Sequence, residues 1–167
     1  DGAAAILWAW QPGTMGGSAL ADVLTGRREA YGRLPMTFPR SEGQIPLSYD
    51  GYSTGRPGPK PEVFWSHYTD ESNTPAYPFG FGLSYTSFEY RDLVVTPSAQ
   101  GWTASVTVRN TGTRAGSDVV QLYVGRQGNG QLYPVKALKG FKRLTLEPGS
   151  EARVSLELPL EALTQRD

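Results

Sequence analysis

Residues 101–112 read GWTASVTVRNTG. Trp102, Ala104, Val106 and Val108 are apolar, and Thr103, Ser105, Thr107 and Arg109 between them are polar. Period two places the two sets on opposite faces of a strand, one dry and one wet. Asn110-Thr111-Gly112-Thr113 then reads as a turn. The same grammar recurs downstream. Val120, Leu122 and Val124 alternate, Gly125 to Gly130 is a Gly-rich loop, and Val135 to Leu144 is a less regular strand. Pro148-Gly149 turns the chain, after which Ala152, Val154, Leu156 and Leu158 alternate with Arg153, Ser155 and Glu157.

With Phe88 to Val95, this predicts five short strands separated by turns, as in an immunoglobulin-like or fibronectin-III-like sandwich. Such a sandwich has about seven strands, so residues 85–167 are expected to lack the last two. The edge beside Val120 to Val124 is expected to be open.

Upstream, the grammar differs. Residues 1–84 hold 12 Gly and 9 Pro, against 8 and 4 in residues 85–167. Ala3 to Trp10, AAAILWAW, is a continuous apolar run, which fits a strand covered on both faces. Pro12-Gly13 stops it. In SALADVLTG, Ser18 is the expected N-cap, Ala19, Leu20, Val23 and Leu24 share a face, and Gly26 suits a left-handed C-terminal cap. Arg33 to Phe38, RLPMTF, is predicted as a short edge strand because of Pro35. Residues 1–40 therefore read as a β-turn-α-β remnant of an α/β domain. Residues 41–84 are rich in proline and aromatics, and we expect an ordered connector rather than a flexible tether. The fold class is thus an α+β fragment ending in an incomplete β sandwich.

Composition excludes several classes of function. The 16 Lys and Arg balance 16 Asp and Glu, which gives no basic excess for a nucleic acid. No apolar run approaches the roughly 20 residues of a membrane span. Cysteine is absent and His67 is the single histidine, so thiolate chemistry and a structural zinc site are unsupported. The chain starts Asp1-Gly2-Ala3, without Met or signal peptide, as an internal piece of a longer protein would.

Candidate chemistry is sparse. Pro12 to Gly17 lies where a strand-to-helix phosphate cradle would, but it fits neither glycine-rich phosphate motif, and a tight turn explains it more simply. His67 supports no triad, because no G-x-S-x-G elbow accompanies it. Asp70 and Glu71 are adjacent and would point opposite ways in an extended chain, which suits a turn or surface better than a carboxylate pair. The Thr, Arg and Lys alternation of the strands reads as a wet sheet face.

Several strings carry more. They are Ala9-Trp10-Gln11-Pro12-Gly13 with Gly16-Gly17, ALADVLTG, GRLPMTFPRSEGQIPLSYD, Ser53 to Pro57, YPFGFGLSYTSFEY, VTVRNTGTRAGSDVVQLYV and LKGFKRLTLEPG. In this order they resemble the C-terminal region of bacterial glycoside hydrolase family 3 β-glucosidases, across essentially the whole chain. The resemblance implies a catalytic (β/α)8-like barrel upstream, then an α/β sandwich domain, then a fibronectin-III-like domain. Residues 1–40 would be the end of the second, 41–84 the connector, and 85–167 most of the third.

The implied reaction is retaining hydrolysis of terminal β-glucosides by two carboxylates about 5–5.5 Å apart. It needs no metal or organic cofactor. Neither carboxylate can be placed here. The family's Ser-Asp-Trp context is absent, since Leu7, Ala9, Phe64 and Gly101 precede the four tryptophans. Met15 stands where relatives often have Glu, with a local effect expected.

The resemblance also implies periplasmic or secreted location, a glucoside or oligosaccharide partner, no nucleic acid or membrane partner, and a homodimer as one state of the whole enzyme. For substrate contact the candidates are Arg56, Trp65 and Tyr68, with Tyr52, Phe64 and His67 nearby. Sugar C–H faces stack on rings, and a guanidinium can fork onto hydroxyls. The rival role for these rings is gluing the connector to its neighbours. The rival reading of the whole chain is a free-standing fibronectin-III-like binding or adhesion module, for which the α/β remnant has no use.

Overall fold

The computed structural model describes residues 2–52, 56, 65–125 and 133–164. The chain forms two compact units, residues 1–30 and 31–167.

The first unit holds helix α1 (Gly16–Leu24). Its N-cap position is Met15, three residues before the expected Ser18. The turn starts early because Gly16 donates to the Gly13 carbonyl at 3.0 Å. Ser18 therefore lies inside the helix, and its hydroxyl donates back to the Met15 carbonyl at 3.0 Å. The helix ends as expected. Gly26, at φ 73, returns its N–H to the Val23 carbonyl at 2.9 Å. Ala3 to Trp10, read as a strand, forms no ladder among the described residues, and Ile6, Trp8 and Trp10 are exposed. A strand needs a neighbour for its N–H and C=O groups, and the described part of this unit supplies none.

The second unit carries strands β1 (Phe88–Ser98), β2 (Gly101–Asn110), β3 (Gly116–Val124), β4 (Ala137–Leu146) and β5 (Glu151–Pro159). β2, β3 and β5 fall where the alternation places them, β1 runs three residues past the expected Val95, and β4 lies two residues later than expected. A 3-10 turn (Glu42–Gln44) and a short helix α2 (Leu160–Leu163) complete the elements. β1, β2 and β5 form one antiparallel sheet with β2 in the middle, and β3 and β4 form the other. Val106 opposes Val154, and Ala104 opposes Leu156. The inner faces meet in a core of Val108, Val120, Leu146 and Val154, with Phe88, Val106, Leu144 and Leu156 packed against it. Burying each of these side chains contributes about 1.5–3 kcal/mol. The architecture is the β sandwich read from the sequence.

The outer face of the three-stranded sheet is wet, and its polar side chains pair across strands. Ser105 and Ser155 hydroxyls lie 2.8 Å apart, Thr103 donates to Glu157 at 2.9 Å, and Arg91 pairs with Glu151. The outer face of β3–β4 differs, because Tyr31, Tyr49, Gly51, Phe79 and Gly80 meet it. Tyr49 stacks on Phe79 with ring centres 3.9 Å apart, and Tyr123 meets both edge-on. Gln121 donates to the Gly80 carbonyl at 3.0 Å, Val135 to the Gly51 carbonyl at 3.0 Å, and Arg143 to the Tyr31 hydroxyl at 2.9 Å.

Arg33 to Phe38, expected as an edge strand, is not a continuous one. Leu34 donates to Phe81, Gly80 to Leu34 and Phe38 to Tyr77, each at 2.8 Å, and only Phe38–Tyr77 counts as a bridge. Pro35 has no N–H to give, so the ladder breaks between these contacts. Gly80 sits at φ 79, and a Cβ there would overlap the Gln121 side chain and the Tyr123 hydroxyl. That accounts physically for the glycine in YPFGFG.

One buried polar cluster joins connector to sandwich. Asp118 is 5% exposed, and its carboxylate pairs with Arg33 and accepts from the Tyr90 hydroxyl at 2.6 Å. Burial first, then the hydrogen bond to Asp118, raises the Tyr90 hydroxyl well above the ordinary value of 10.0. The folded chain therefore holds this proton more tightly than the unfolded chain. Stability supplied by Tyr90 is present below pH 10 and falls as pH rises beyond it. In urea titrations across the alkaline range, Tyr90→Phe is expected to flatten that decline. An unchanged slope would contradict this assignment.

Candidate functional site

The candidate substrate-contact residues lie in the second unit, on a surface loop that runs from Trp65 to Thr74. Trp65 and His67 stack with ring centres 4.1 Å apart and planes inclined by 23°. The His67 Nδ1 donates to the Trp65 carbonyl at 2.8 Å, which orients the ring on the loop. Tyr68 is 39% exposed. The backbone at Arg56 joins this group, since the Ser66 N–H donates to the Arg56 carbonyl at 3.0 Å. The structure thus places Trp65, His67 and Tyr68 on one loop, with the Arg56 backbone hydrogen-bonded to it. Tyr52 stands apart, 54% exposed and bridged to Pro134. Phe64 lies outside the described residues.

Asn73 ties the loop into shape. Its side-chain amide donates to the Ser66 carbonyl at 2.7 Å and accepts from the Tyr68 N–H at 3.0 Å. Asx side chains close turns in this way by imitating a backbone pair. Glu71 accepts from the Ser72 N–H at 2.7 Å and faces Arg40 at 3.9 Å. Its carboxylate is therefore engaged in the turn, as the adjacency of Asp70 and Glu71 predicts, and forms no catalytic pair with Asp70.

The connector's aromatics divide into two groups. Tyr49 and Phe79 pack on Tyr123 of the sandwich. Trp65 and His67 stack on each other on the loop. The first group packs the connector on the sandwich. Ring density along the sequence could not separate them, because both groups occur among prolines in one aperiodic stretch. Asn73 carried no signal in the sequence.

Met15 is 72% exposed and makes no side-chain cap to α1. Pro12 to Gly17 forms the tight turn into that helix. Among the described residues, no group of three or more His, Cys, Asp and Glu could hold a metal ion, and no helix is long and apolar enough to cross a membrane.

Residues 1–85 match the glycosyl hydrolase family 3 C-terminal domain, and residues 118–167 match a fibronectin type III-like domain. The chain belongs to glycosyl hydrolase family 3, as part of its C-terminal region. It is 48% identical over 165 residues to a periplasmic beta-glucosidase of Salmonella typhimurium, a match covering 95% of this chain and 22% of that one. It is 39% identical to a beta-xylosidase of Formosa agariphila, again over 95% of this chain and 22% of the other. A crystal structure of beta-glucosidase from Listeria innocua in complex with glucose superposes with TM-score 0.86 at 39% identity, covering 93% of this chain and 22% of that one. The chain spans about a fifth of the length of these relatives.

Proposed function

We propose that the whole protein is a periplasmic β-glucosidase that hydrolyses terminal β-glucosides with retention, and that this chain is its C-terminal scaffold. In this reading, residues 1–40 close an α/β sandwich domain, 41–84 form the connector and 85–167 form the fibronectin-III-like sandwich. Both catalytic carboxylates lie elsewhere in the protein. The observation that carries the proposal is the 48% identity, over nearly the whole chain, to a periplasmic beta-glucosidase. Relatives named as xylosidases match at 36–39%. The whole protein should therefore prefer an aryl β-glucoside over an aryl β-xyloside, and a reversed kcat/KM ratio would overturn the choice of sugar.

The loop from Trp65 to Thr74, with Arg56 beside it, meets the leaving-group sugar. Two stacked rings and a half-exposed tyrosine on a tied surface loop suit a C–H face. In the whole enzyme, Trp65→Ala is expected to raise KM for a β-linked glucose disaccharide about threefold to tenfold, the size of one aromatic contact. Melting should change little, because the sandwich is glued by other rings. A large loss of stability with unchanged KM would remove Trp65 from the site.

A further inference from the structure

We propose that Gln44 is the positioning residue for the ring-bearing loop. The inference rests on the reading that this loop meets the substrate. Gln44 is polar, uncharged and 1% exposed, on a 3-10 turn far in sequence from the rings. A buried amide persists only where its hydrogen bonds are made, and the partners of Gln44 show what it holds. Its Oε1 accepts from the Arg40 N–H at 2.6 Å. Its Nε2 donates to the Ser72 carbonyl at 2.7 Å and reaches the Thr74 carbonyl at 3.4 Å.

Those two carbonyls flank Asn73, the residue that ties Ser66 and Tyr68. A single side chain thus connects the backbone at Arg40 to the base of the loop, and Asn73 passes the constraint to the segment carrying Trp65, His67 and Tyr68. Arg40 reinforces the same joint through its Nε, which donates to the Thr74 carbonyl at 3.0 Å. Phe38, two residues before Arg40, is bridged to Tyr77, so the support is itself part of the packed connector. Precision in a binding loop comes from such buried supports behind the contacting groups. The glutamine in SEGQIP, within one of the strings that carry the family resemblance, gains a physical reason.

The test compares two substrates in the whole enzyme, a β-linked glucose disaccharide and β-glucosyl fluoride, which has no leaving-group sugar. The ratio of their kcat/KM values does not depend on how much enzyme is folded. Gln44→Leu keeps the volume and leaves the Arg40 N–H and the Ser72 carbonyl without their Gln44 partner. Asn73→Ala cuts the same chain of contacts at an exposed residue, where folding is not at risk. Both are expected to lower the disaccharide-to-fluoride ratio about fivefold to tenfold, with faster amide exchange at Ser66 and Tyr68. Trp65→Ala runs alongside. If Trp65→Ala lowers the ratio and the other two do not, the positioning role is overturned and the loop's contact with substrate stands. If Trp65→Ala also leaves the ratio unchanged, the loop reading fails and takes the positioning role with it.

Discussion

Purified by itself, the 167-residue chain is expected to leave a chromogenic aryl β-glucoside intact, while the whole enzyme turns it over. Retaining hydrolysis needs a nucleophile and an acid/base, two carboxylates about 5–5.5 Å apart across the scissile bond. No tryptophan here follows an aspartate, so the family's nucleophile context is missing. Asp118 is spent on Arg33 and Tyr90, Glu71 on Ser72 and Arg40, and Glu151 on Arg91. A carboxylate held this way has no second carboxylate arranged to share the two roles. Enzymes commonly exceed the uncatalysed rate by at least about 10⁶-fold, so the contrast should be all-or-none. Turnover that persists after host glucosidase is removed would overturn this.

Asp118→Leu should cost the chain about 3–5 kcal/mol, because it strands a cation. Arg33 and Asp118 side chains are 15% and 7% exposed, and Tyr90 completes the cluster from β1. Removing one member of a buried pair leaves the other charge uncompensated, whereas replacing both with apolar groups is often close to neutral. The double variant Arg33→Leu/Asp118→Leu is therefore expected to recover most of the loss. Urea unfolding of the four species gives the coupling directly. A single Asp118→Leu change that costs less than about 1 kcal/mol would show that the pair does not pin the connector to the sandwich.

Much of this protein could be read along the chain. Strands β2, β3 and β5 follow from alternation at Trp102 to Val108, Val120 to Val124 and Ala152 to Leu158, since period two is a local property of side-chain direction. The Gly26 cap is local in the same sense. Membership of the family came from ordered strings whose function lies largely beyond these residues. Other features required the folded chain. The expected edge strand at Arg33 to Phe38 is interrupted at Pro35, and among the described residues Ala3 to Trp10 pairs with no strand. The outer face of β3–β4 is partly covered although Gln121 and Tyr123 look half-polar, because Tyr49, Phe79 and Gly80 pack on them. The roles of Gln44, Asn73 and the Arg33–Asp118–Tyr90 cluster arise from partners separated by up to 85 positions. A glutamine buried by three backbone groups and one exposed to water look the same in a sequence. The difference lies in what the fold places around them.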